Sequence, residues 1–162
     1  VINKSKTDNK YKKDQFNKGN LTSLKSELNN FKVKINSADT TAFKSLKGIG
    51  SYYSIKIIKY RSALGGFTSV EQLKEVYGIL PEVIDQNVNR LIVDSMNIVK
   101  ININTCETAD LKRHPYVSWN IANSIVQIRK SREAYKTIEG IKKSDLVNAE
   151  IYRKIAPYLK IE

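Results

Sequence analysis

In the segment Lys47-Gly48-Ile49-Gly50, two glycines bracket one apolar residue, and this spacing points to an anion. Glycines at both positions let the chain reverse tightly and bring backbone N–H groups up to a ligand with no Cβ in the way. A phosphate is the natural guest. Downstream, Tyr52, Ile55 and Ile58 fall near helical spacing, so the unpaired N–H groups and the positive dipole end of that helix face the turn. Lys47, Gly48, Ile49, Gly50, Ser51, Tyr52 and Lys56 are therefore the candidate contacts. Upstream, Ala38, Ala42, Phe43 and Leu46 also lie near helical spacing, with Asn36 or Ser37 as the expected cap.

Other reactive residue types are sparse. Cys106 and His114 are the only cysteine and histidine, which excludes an internal disulfide, a cysteine-rich zinc site and a multi-histidine metal centre. His114 has no obvious acidic companion and reads as structural, and Cys106 reads as a small buried residue. Asp85 and Asp94 are the acids that a base-excising enzyme would need, yet nothing pairs them with a base-receiving pocket. The expectation is a binding protein and not an enzyme, with no cofactor, metal or small-molecule substrate.

The elements that position the turn occur twice. An ungapped shift of 68 residues lays Ile35, Asn36, Thr40, Lys44, Ile57, Arg61, Glu71 and Lys74 on identical residue types in the second half. Apolar positions follow, with Phe43 on Leu111, Ile49 on Val117 and Phe67 on Tyr135. Residues 35–97 thus form a first module and residues 98–162 a second. In the first, Gly65-Gly66 is suited to end the long helix, Thr68 or Ser69 to start another, and Gly78-Ile79-Leu80-Pro81 reads as a second turn that has lost its final glycine. In the second module His114-Pro115-Tyr116-Val117-Ser118 replaces the glycine turn, and the other turn falls near Lys142-Lys143-Ser144-Asp145. Lys112, Arg113, His114, Tyr116 and Trp119 are the candidate contacts of this second module, with DNA or with a protein. Arg61 and Arg129, at matching positions, are expected to bind helix C-terminal carbonyls or a carboxylate.

Residues 1–34 are polar and lysine-rich and read as a basic, mostly disordered arm, ending in a short amphipathic helix through Leu21, Leu24, Leu28 and Phe31. The chain carries a formal net charge of +12, which favours an anionic partner. That charge is uneven: +6 in the arm, +1 in the first module and +5 in the second. Nonspecific affinity comes mainly from phosphate neutralisation, so the first module needs charge from elsewhere in the chain. No apolar run approaches the roughly 20 residues that span a bilayer.

The run Ile35-Asn36-Ser37-Ala38-Asp39, then Leu46-Lys47-Gly48-Ile49-Gly50, Ile57-Ile58-Lys59-Tyr60-Arg61, Gly65-Gly66-Phe67 and Gln72-Leu73 resembles the ComEA-type helix-hairpin-helix domain of bacterial DNA-uptake proteins. The second module, with Ile101-Asn102-Ile103-Asn104-Thr105 and Lys154-Ile155-Ala156-Pro157-Tyr158-Leu159, resembles a diverged C-terminal repeat of that family. The resemblance implies an all-α fold, sequence-independent binding of double-stranded DNA, and phosphate contacts at Gly48, Ile49, Gly50 and Ser51. It also implies a periplasmic or membrane-associated location through a segment absent from this chain, with a cytoplasmic location as the alternative. The rival function is a protein-interaction scaffold that kept the fold while losing most DNA contacts.

Overall fold

The computed structural model describes residues 31–94 and 98–161. Residues 1–30 of the expected arm, with Leu21, Leu24 and Leu28 of its helix, lie outside the described residues. Residues 32–162 form one compact unit.

In the first module, β1 (Val33–Lys34) leads to α1 (Thr40–Lys44), the long α2 (Ser51–Leu64), a 3₁₀ helix (Val70–Glu75), α3 (Pro81–Asp85) and β2 (Leu91–Ile92). The second repeats the order with β3 (Ile101–Asn102), α4 (Thr108–Lys112), α5 (Trp119–Arg132), a 3₁₀ helix (Ile138–Lys143), α6 (Ala149–Ile155) and β4 (Leu159–Lys160). The molecule is helix-rich, and the expected all-α class needs one correction. In each module the first and last strands pair in parallel, Val33 with Leu91 and Ile101 with Leu159. Val33 and Lys34, assigned from sequence to the arm, are thereby part of the first module.

Each module closes around its own apolar cluster. Ile35, Phe43, Ile57, Phe67, Leu73 and Ile84 are fully buried in the first, and Ile103, Leu111, Ile125 and Ile141 in the second. Polar side chains lock the same joints in both. Arg61 Nη1 donates to the carbonyls of Ile35 and Ala38, at 3.0 and 2.7 Å, and Arg129 Nη1 to those of Ile103 and Cys106, at 2.8 and 2.7 Å. These acceptors precede a helix start rather than follow a helix end, because a loop carbonyl has no ladder partner and needs a donor. Asn36 does not cap α1. Its amide bonds the Phe67 backbone in both directions, while the N-cap is Asp39, whose carboxylate accepts from Ala42 N–H at 2.7 Å. Gly65 ends α2 in the left-handed region, at φ +83°, as its spacing leads one to expect.

Candidate nucleic-acid interface

Four turns of one kind precede four helices. In each, an apolar residue donates its N–H to the carbonyl three residues back: Ile49 to Leu46 (3.2 Å), Ile79 to Val76 (3.0 Å), Val117 to His114 (2.9 Å) and Val147 to Ser144 (2.9 Å). These donors are buried apolar residues, so each turn is nailed to its core. Ile49 is one of them. Its side chain is buried in the core and its N–H is bonded within the turn, so it anchors the turn.

The turns differ in the residue before the anchor. Gly48 and Gly78 have φ of +81° and +88°, which with the i to i+3 bond makes both first-module turns type II. Tyr116 and Leu146 stand there in the second module, and among the described residues Glu133 is the only non-glycine with positive φ. Those turns are therefore of the type I family, with the central peptide reversed. Their third-position N–H is then taken by the first residue's side chain: Tyr116 N–H donates to His114 Nδ1 and Leu146 N–H to Ser144 Oγ, both at 3.3 Å. Leu46 and Val76, the first-module counterparts, have no acceptor to offer.

The helix starts differ in the same sense. Gly50, N-cap of the 14-residue α2, makes no side-chain capping bond, so the first-turn N–H groups keep their donors outward. In the second module Ser118 Oγ accepts from Ile121 N–H at 3.3 Å, and Asn148 Oδ1 from Ile151 N–H at 2.9 Å. Capping there consumes a donor that an anion would otherwise use.

The two first-module turns hold each other's helices. Lys47 N–H donates to Asn87 Oδ1 at 3.0 Å, Asn87 Nδ2 returns a bond to the Lys47 carbonyl at 2.8 Å, and Val83 packs on Gly48. Reciprocally, Lys56 Nζ donates to the Tyr77 carbonyl at 3.0 Å, and Tyr53 and Lys56 flank Gly78. The ammonium of Lys56 also sits 4.4 Å from the Tyr52 ring centre and 4.7 Å from that of Tyr77, a cation–π arrangement on two rings. Tyr52 is 65% exposed and Tyr77 87%, so these rings, with Lys47, Gly50 and Ser51, make an open basic and aromatic surface. The second turn, which had the look of a decayed copy, keeps the geometry of the first. Leu80 replaces a glycine whose backbone angles, φ −74° and ψ 136°, suit any residue. Sequence reasoning missed Asn87 and Tyr77, because only the fold places them beside Lys47 and Lys56.

His114 and Tyr116 are corrections to the second-module contacts. His114 is 3% exposed and Tyr116 half-buried, both inside the seam between modules. There Gln72 Nε2 donates to the phenolic oxygens of Tyr116 (2.9 Å) and Tyr158 (2.8 Å), and Glu75 accepts from Tyr60 and Tyr116. Burial, reinforced by Glu75, pushes both of those phenols well above the usual range. Burial likewise lowers the His114 imidazole to about 4, against a smaller opposing pull from the Leu64 backbone, so it is neutral at neutral pH. Lys112, Arg113 and Trp119 remain exposed around this turn.

Among the described residues no helix is long and apolar enough to cross a membrane. No group of three metal-ligating side chains occurs among them.

Relatives are distant. The chain is 25% identical over 146 residues to the endonuclease/exonuclease/phosphatase family domain-containing protein 1 of Danio rerio, covering 79% of this chain and 26% of that protein. For the Homo sapiens protein of that name the identity is 24% over 157 residues, covering 79% and 28%. An uncharacterized protein of Haemophilus influenzae is 40% identical over 62 residues, 38% of this chain and 55% of that one. The chain thus spans about a quarter of the length of these vertebrate relatives. No solved structure matches it. The helix-hairpin-helix motif, which points to nucleic-acid binding, matches residues 28–92 and again 96–160, and with both halves of its length matched the protein belongs to the helix-hairpin-helix family.

Proposed function

We propose that the chain binds double-stranded DNA through backbone phosphates, at the turns around Gly48 and Gly78, without reading base sequence. One observation carries this reading. The first module leaves the turn and helix-start donors at Gly48 and Gly50 without side-chain acceptors, whereas the second caps the matching positions internally. Donors aimed at a backbone, with Lys47 and Lys56 beside them, give orientation and affinity but no base discrimination. The protein acts here by binding and not by catalysis.

The resemblance to ComEA-type domains supports a role in DNA uptake or handling at the cell envelope, in the periplasm or at the membrane, with the cytoplasm as the alternative. The vertebrate relatives carry an endonuclease/exonuclease/phosphatase family domain by name. That supports a second setting, in which tandem modules of this kind hold nucleic acid for a processing protein.

The test is an anisotropy titration of the full chain with several unrelated duplexes and with single strands, repeated across salt concentrations. Affinities equal within a few-fold among duplexes, weaker for single strands, and falling linearly on a log–log salt plot are the expected result. No binding at low salt would sink the proposal and favour the scaffold reading.

A further inference from the structure

The seam between modules has a repeat-related counterpart that stands open among the described residues. On the first module, the C-terminal end of α2 and the following 3₁₀ helix form a socket that receives the second module's His114-Pro115-Tyr116 turn together with Tyr158. Gln72 is its centre. Its Oε1 accepts from the backbone of Thr68 and Ser69 at 2.7 and 3.2 Å while its Nε2 donates to both incoming tyrosines. Glu75 sets the chemistry at the rim, as acceptor for Tyr116.

The same shift of 68 residues carries this socket onto the second module, at the end of α5 and the 3₁₀ helix after it. A cavity of about 320 Å³ lies there, lined by Arg132, Tyr135, Lys136, Gly140 and Lys143 among others. Gly140 stands where Gln72 fills the first socket, and a Cβ at Gly140 would come within 2.7 Å of the Tyr135 ring, so that ring packs directly on the glycine and no counterpart of the Gln72 amide stands at the cavity. Its rim is rewritten. Arg132 replaces Leu64, Lys136 replaces Thr68 and Lys143 replaces Glu75, all three exposed, with Glu133 the one acid beside them.

We propose that this socket is an interaction site for a partner protein, and that the partner inserts an acidic turn carrying an aromatic side chain. The form of the occupant follows from the filled socket, whose guest is a turn with aromatic rings. The charge follows from the substitutions, because an acceptor rim that suited a phenol has become a donor rim that suits carboxylates. A second copy of this chain docking in the same register is disfavoured. Its corresponding turn is Leu46-Lys47-Gly48, which would bring exposed Lys47 against Arg132 and Lys143. The step from first to second module is thus blocked from continuing into a filament of identical chains.

The test uses the full chain, isotopically labelled, with amide shifts followed by NMR. The probes are a pentapeptide of four glutamates around a central tyrosine, the same peptide with lysines for glutamates, and a short duplex DNA. The acidic peptide is expected to shift the amides of Lys136, Gly140 and Lys143 saturably, and the basic peptide to leave them unmoved. Lys136→Glu with Lys143→Glu, both at exposed positions, should weaken the acidic peptide at least tenfold while amides of the first module keep their positions. Absence of saturable shifts, or shifts indifferent to the charge reversal, would overturn the proposal. So would shifts at these amides caused by the duplex in place of the peptide, which would make the socket part of the nucleic-acid surface. Loss of the socket site leaves the DNA reading intact, because duplex binding is scored at Gly48 to Ser51 in the same spectra.

Discussion

A methyl group on Gly50 would project into open space from a residue at φ −92°, whereas on Gly48, at φ +81°, it would press within 3.1 Å of Val83. The fold therefore explains one glycine and leaves the other to the ligand. Gly48→Ala is expected to cost about 1 to 2 kcal/mol of stability, the usual penalty for an L-residue in the left-handed region. Gly50→Ala should leave the urea midpoint near its original value and still lower duplex affinity several-fold, as anisotropy would show. Equal affinity in a folded Gly50→Ala protein would remove that backbone from the phosphate site.

His114 gives a second prediction. Its imidazole is held neutral by burial, with a folded value near 4 against 6.5 for the free side chain. The unfolded chain therefore binds more protons between those values, and stability is lost as pH falls from about 6.5 toward 4. The full loss is about 3 kcal/mol, since each tenfold drop in the proton affinity of the folded state is worth about 1.4 kcal/mol. Denaturant midpoints across this range should show that slope, and His114→Phe should flatten it.

At the scale of elements, the turns owe their shape to partners far away in sequence. Asn87 is nearly inaccessible and grips Lys47 through both its amide atoms, 40 residues away, while also donating to Val83. Asn87→Ala takes the side-chain partner from three part-buried backbone groups, the Lys47 N–H and carbonyl and the Val83 carbonyl, and is expected to cost about 2 to 4 kcal/mol, measured by thermal or urea unfolding. The helices, the repeat and the left-handed caps were legible, since apolar spacing and glycine placement are local signals. Asn36, Arg61 and Asn87 were misplaced or overlooked because their hydrogen-bond partners are loop carbonyls and amides that only the closed module brings near. The side-chain capping by His114 and Ser144 was hidden for another reason. A histidine or serine at the start of a turn reads as neutral until the turn type is known.

Across the whole molecule, the second module's first turn is spent on the seam, so its exposed neighbours should add little to DNA affinity. Neutralising Arg113, which is paired with Asp110 at 3.4 Å, is expected to change duplex affinity less than twofold. Lys47→Gln, by contrast, should lower the magnitude of the log–log salt slope by about 0.9, the value for one lost phosphate contact on B-form DNA. A large effect of Arg113→Gln on the slope would mean that the buried turn is bordered by a working phosphate contact.

The parallel pairing of first and last strands has a mechanical consequence. Because β1 and β2 run the same way, the entry to the first module and its exit leave from opposite ends of one short ladder, and so do those of the second module at β3 and β4. Tension along the chain then loads those hydrogen bonds in shear, all at once, and not one after another like a zipper. Each module is built to stay shut while its two ends are pulled apart.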